Sequence, residues 1–203
     1  SQTAVGGQDL RNEIYSWPTT NQCRVDQVTA TSDYAAEDFF DTCLVNVKGL
    51  DTLEALLFST SGDHACPEGM SWNEDGLWEA LSPETITASR AAYAARVAAQ
   101  VVSDIEAIVT AWSESFAQDL AAAGTPTSSF VSQGEALNAI FDATFYLETV
   151  TKDLKLGSTS ARQGCGPAPC SIKVETPLTG HSTTWIVANL EGGQALFTGG
   201  EGA

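Results

Sequence analysis

The chain has 203 residues, 43% of them hydrophobic and 17% charged, which is ample for one large domain or two small ones around a sizeable core. Acids outnumber bases 26 to 9, for a net charge of −17. That balance argues against nucleic acid, which is bound through Lys and Arg at phosphates, and against docking on an anionic membrane surface. An acidic surface gathers cations, but solubility alone also accounts for it. No run reaches the ~18 apolar residues of a transmembrane helix. The sequence opens at SQTAVGGQ, with no initiator Met, basic n-region or apolar h-region, so a signal peptide is expected to have been removed or to lie upstream.

Residues 9–17 (DLRNEIYSW) space Leu10, Ile14 and Trp17 as one helix face, stopped by Pro18. Thr20 and Asn21 are cap candidates for the next segment, which carries an Arg24–Asp26 pair. Ser32 precedes a further short helical stretch, DYAAEDFF. In VNVKGLDTLEALLFS, from Val45 to Ser59, Leu50, Leu53 and Leu57 recur as a buried helix face. Asp51 and Glu54 stack their carboxylates over one turn of the same helix. Gly49 before them permits a close backbone approach or a tight turn. Two readings of the acids are open. Asp51 complements the helix dipole and Glu54 is an ordinary surface acid, or the pair is a site.

A loop from about Gly62 to Leu81 holds His64, Cys66, Trp72 and Trp78, with His64 read as a surface histidine. Ser82-Pro83 then starts the strongest element, a helix over about 83–123 with a stripe from Tyr93 through Leu120, closed by Gly124 and Pro126. It would span roughly 60 Å and speaks for a helical bundle. Ser132 to Glu135 is a capping box opening a helix striped by Leu137, Ile140, Phe141 and Leu147. Asp142, Glu148 and Asp153 read as its solvated face, and Glu148–Lys152 as an ion pair. After an irregular region, 157–181, Ser182 starts a last helix, with His181 packing on its first turn. No strand-period alternation of useful length is present, so the fold class is all-α, one helical domain over 1–203 with a candidate sub-bundle boundary in 157–181.

Five cysteines favour an oxidising compartment. Cys165 and Cys170, in GCGPAPC, have neither redox nor zinc spacing and are expected to form a local disulfide. Two of Cys23, Cys43 and Cys66 make a second, leaving one free or bonded elsewhere. GxSxG, P-loop, GxGxxG and HExxH signatures are all missing, and two histidines leave little for imidazole-based chemistry.

The segments NEIYSWPTTNQCRVDQ, VNVKGLDTLEALLF, EALNAIFDATFYLETVTKDLKL and TTWIVANLEGGQALFTGG, in that order, resemble the imelysin-like family. The resemblance covers most of the chain, which is similar to the central part of a longer family domain. It implies two helical bundles in an extracytoplasmic bacterial protein, in the periplasm or attached to the outer membrane as a lipoprotein anchored upstream. It further implies a link to iron uptake and kinship with metallopeptidases. The family's G-x-H-x-x-E motif, associated with a metal or catalytic site, falls on Gly49, Asp51 and Glu54, with Asp51 at the histidine position. Two carboxylates make an oxygen-only donor set suited to Ca²⁺, Mg²⁺, Mn²⁺ or ferric iron rather than zinc. The expectation is therefore a non-catalytic envelope protein that binds a cation or an envelope partner, associated with iron acquisition. Two alternatives stand beside it. One is a metal-dependent peptidase, with Glu54 as base or ligand and His64 or His181 as imidazole. The other is a structural module, in which Asp51 and Glu54 bond neighbouring helix ends or Arg24.

Overall fold

The computed structural model describes residues 10–160 and 174–200, and these contain helices and turns with no strand. They fall into two compact units, 1–108 and 109–203. The loop 157–181 lies within the second unit, and its residues 161–173, with Cys165, Cys170 and their expected disulfide, are outside the described residues.

The first unit begins with α1 (Leu10–Ile14), shorter than the 9–17 helix expected. Beyond it the chain turns, through a cis Trp17–Pro18 bond, into α2 (Gln22–Thr31), whose start Asn21 caps by accepting the Arg24 N–H at 3.1 Å. A 3₁₀ turn (Asp33–Ala35) and α3 (Phe39–Thr42) follow. A 3₁₀ turn (Val45–Val47) leads to α4 (Leu50–Phe58), which starts after Gly49 as expected, with Gly49 at φ +83°. Leu50 and Leu57, expected inside, are 46% and 59% exposed, while Thr52, Ala55 and Leu56 are buried.

The core joins Val25 and Val28 of α2, Tyr34, Phe39, Val47 and Leu56 to the long helix α5 (Pro83–Ala111), which contributes Tyr93, Ala94, Val97 and Val101. Tyr93 is its centre, fully buried, stacked on Tyr34 at 5.0 Å and edge-on to Phe39 at 5.8 Å, with its hydroxyl donated to the Val47 carbonyl. Burial pushes that phenol far above its usual range.

Two buried ion pairs fix the periphery. Glu13 meets Lys48, and Asp26 meets Arg90 at 3.2 Å. Arg90 also donates to the Ser61 carbonyl at 3.1 Å and lies over the Trp78 ring, while Asp26 accepts the Ala65 N–H at 2.8 Å. Together with the Cys23–Cys66 disulfide these contacts hold the loop 59–81 against α2. Cys43 is a free cysteine. Burial raises the Asp26 carboxyl above its ordinary range, outweighing the pull of the Ala65 N–H and of Arg90 in the opposite direction.

α5 runs on through a π-helical turn (Trp112–Phe116) into α6 (Ala117–Ala121), close to the expected 83–123. Around the turn, Ser113 and Ser115 bond back to the carbonyls of Val109 and Ala111. In the second unit α7 (Gln133–Tyr146) opens as the capping motif requires, Ser132 accepting the Glu135 N–H at 3.1 Å. The Glu135 carboxylate takes the Val131 N–H rather than that of Ser132. The helix continues as a wide π-helical segment (Leu147–Ser158), and α8 (Ser182–Thr198) lies antiparallel to it, with Phe141 near Phe197 and Asn189 bonded to Lys155. At Gly193 a Cβ would come 2.4 Å from Leu147 Cδ1, so a larger residue here would require the Leu147 side chain to shift. Ser182 is the first helical residue and bonds Thr176, and His181 stands against Trp185. The stripe expected to be buried here is largely exposed: Leu137, Phe141 and Phe197 are 55%, 51% and 75% accessible.

Removing one member of a buried pair strands the other in low dielectric, at a cost of about 3–5 kcal/mol. Arg90→Met is therefore expected to lower the unfolding free energy by about 3 kcal/mol or more in urea titrations with the disulfide intact. It should also open the loop 59–81 to limited proteolysis.

Candidate functional site

The G-L-D-T-L-E segment sits at the join of α1, α2 and α4. A Cβ on Gly49 would lie 2.8 Å from the Glu13 carbonyl oxygen, 2.9 Å from that of Ile14 and 2.9 Å from Ser16 Oγ. Positive φ and close approach both demand glycine here. Two residues on, Asp51 Oδ2 accepts the backbone N–H of Trp17 at 2.8 Å, anchoring the chain where α1 has ended and Trp17 is buried. On the other side of Gly49, Lys48 is 3% exposed. It pairs with Glu13 and donates to the Phe40 carbonyl at 3.1 Å. Thr52 closes the first turn of α4 by donating to the Lys48 carbonyl at 3.0 Å, and Asn21 N–H reaches the Asn46 carbonyl at 2.9 Å. Glu13 Oε1 is buried without a hydrogen-bond partner.

Glu54 lies one turn beyond Asp51 on α4 and is half-buried. Among the described residues no three His, Cys, Asp or Glu side chains converge in a way that could hold a metal ion. Asp51 Oδ2 is thus engaged by backbone, and among the described residues no third such ligand joins Asp51 and Glu54. The other expected members lie elsewhere. Arg24 bonds Gln27, and Asp26 bonds Arg90, so the Arg24–Asp26 pair does not form. The two histidines are in different units.

His64 is no surface histidine. Its side chain is 18% exposed, edge-on to Trp72 and Trp78, with Nδ1 accepting the Cys66 N–H at 3.1 Å and Nε2 3.7 Å from Glu79. Asn73 ties this group together, donating to Glu79 and accepting the Trp78 N–H at 2.7 Å. Three aromatic or imidazole-bearing positions, His64, Trp72 and Trp78, were legible as composition of a Gly/Pro loop, but their contacts were not. The Lys155–Glu175–Asn189 group, at 2.8 and 2.7 Å, escaped the sequence because its members are spread over 34 residues.

If the segment is a packing joint, Gly49→Ala meets both backbone strain of about 1–2 kcal/mol and steric overlap of about 1–3 kcal/mol. Asp51→Ala strands the Trp17 amide, at about 1–3 kcal/mol, whereas Asp51→Asn keeps an acceptor and is expected to cost less than about 1 kcal/mol. Urea unfolding in the presence of chelator measures all three, and the expected order of loss is Gly49→Ala, Asp51→Ala, Asp51→Asn.

The model of the imelysin family (peptidase family M75) matches residues 4–203, essentially the whole chain. No curated protein and no solved structure shows a match. The match spans both units and includes the Gly49–Glu54 segment, and on it the chain belongs to the imelysin family.

Proposed function

We propose that this chain is a non-catalytic, extracytoplasmic member of the imelysin family that works by binding a partner, in association with iron acquisition. The observation that carries the non-catalytic part is the bond from Trp17 N–H to Asp51 Oδ2. Where the family motif has histidine, this chain has a carboxylate engaged in packing. A zinc peptidase needs neutral imidazole or an equivalent ligand set with an open position for water. The Cys23–Cys66 disulfide supports an oxidising compartment, and no helix among the described residues is long and apolar enough to cross a membrane. Family membership is what supports the link to iron and the envelope location.

Cation capture at Asp51 and Glu54 is the rival for the same segment, and one titration separates the two. Calorimetry with Ca²⁺, Mn²⁺ and Fe³⁺ is expected to give no stoichiometric binding that Glu54→Gln abolishes, and casein is expected to stay intact with each metal added. One equivalent of metal lost in Glu54→Gln, or casein hydrolysis blocked by chelator, would reverse the reading.

A further inference from the structure

The buried side chains of the second unit are mostly polar. Among its described residues Ala123 and Ala136 are the buried hydrophobics, whereas Thr151, Lys155, Ser158 and Glu175 are all buried. Lys155, in the π-helical segment, donates from Nζ to Glu175 Oε1 at 2.8 Å and to Asn189 Oδ1 of α8 at 2.7 Å. Thr151 Oγ1 donates to the same Oδ1 at 3.4 Å. An ammonium has only donors, so the amide turns its carbonyl toward Lys155. Cγ lies one C=O bond of about 1.2 Å beyond Oδ1, which places it about 3–4 Å from Nζ. Groups poised to react stand at about 3–3.5 Å. The side chains of Lys155 and Glu175 are 2% and 3% exposed, and the Tyr146 ring stands 6.0 Å from Nζ. An amine, a carboxamide and a carboxyl are thus held together away from bulk water.

We propose that Lys155 and Asn189 are joined by an isopeptide bond that the chain makes itself, with Glu175 as the proton carrier. Nζ gives one proton to Glu175 Oε1, which leaves both groups neutral and removes two charges from a buried site. The Nζ lone pair then bonds to Cγ while the carbonyl pair moves onto Oδ1, where the Thr151 hydroxyl stabilises it. Nζ and Nδ2 now share one carbon, so the carboxyl that reaches the first also reaches the second. A second proton passes from Nζ through Glu175 to Nδ2. The Cγ–Nδ2 bond breaks with its electron pair going to nitrogen, and Oδ1 regains its double bond. Ammonia leaves and takes the remaining proton from Glu175, so the carboxylate is restored and neither an oxidant nor a further reactant is consumed. The bond ties the π-helical segment to α8 across 34 residues, in a unit with few buried apolar side chains. It is independent of the partner-binding reading and of the role of Asp51 and Glu54.

Intact-mass spectrometry of the purified, reduced and denatured chain tests this. The unmodified chain is expected to be lighter than its sequence by one ammonia, about 17 Da. Trypsin should leave the chain uncut after Lys155 and release a branched peptide that joins Lys155 to Asn189, identified by fragmentation. Asn189→Ala keeps the Lys155–Glu175 pair and removes only the amide, and it is expected to return to the full mass of its sequence. Glu175→Gln keeps both ends of the bond and removes the proton carrier. It too is expected at full mass, with circular dichroism checking that it folds. An unmodified chain found at full mass, or cut normally after Lys155, would overturn the proposal whatever the variants do. A loss of about 17 Da that persists in Asn189→Ala would overturn it as well.

Discussion

Everything in the first unit turns on how closely α4 can approach the end of α1. Gly49 has no room for a Cβ, and the 2.8–2.9 Å clearances to Glu13, Ile14 and Ser16 leave no slack in that contact. Once it is made, Lys48 is carried inside to Glu13, Val47 is presented to the Tyr93 hydroxyl, and Asp51 is brought to the Trp17 amide. A buried ion pair is a weak source of net stability, because desolvation offsets most of the attraction. Its value here is in specificity. Lys48 and Glu13 have low-energy homes only when Gly49 is seated, which ties the register of α4 to that of α1. The Asp26–Arg90 pair does the same for the loop 59–81, with the disulfide closing it covalently.

The helical class was legible because its signals are local. Ser82-Pro83, the Ser132 cap and the Asn21 cap each act within a turn, and each is realised, although the return arm of the Ser132 box goes to Val131 instead. Burial was less legible because helix phase is set from outside the helix. In VNVKGLDTLEALLFS the leucine spacing predicts Leu50 and Leu57 inside, yet Thr52, Ala55 and Leu56 are the residues buried. In α5 the same stripe is buried at Tyr93, Val97 and Val101 and exposed at Ile105 and Trp112, although the spacing is unchanged. Periodicity marks an apolar face; what covers that face comes from other parts of the fold.

The motif segment was legible as a position, and the packing role of Asp51 in it was not. Spacing and family resemblance single out Gly49, Asp51 and Glu54, and Gly49 proves constrained on two counts. That Asp51 would serve a backbone amide 34 residues away could not be read from a motif. Imidazole can also accept a backbone N–H, as His64 does, but a carboxylate adds a negative charge that favours the first turn of a helix. At Asp51 that carboxylate ties the helix start to the turn at Trp17. Long-range groups such as His64 between two tryptophans escaped for the same reason, since loop closure by the disulfide brings them together.

The motif segment is a joint between α1 and α4. One hydrogen bond, from the Trp17 amide to Asp51, lies at its centre, and hydrogen exchange at that amide measures it directly. The amide is expected to exchange only as slowly as the core around Tyr93 in the unmodified chain, and markedly faster in Asp51→Ala, with or without added metal. A Trp17 amide that exchanges like an exposed turn in the unmodified chain, or one protected only when metal is present, would contradict the account.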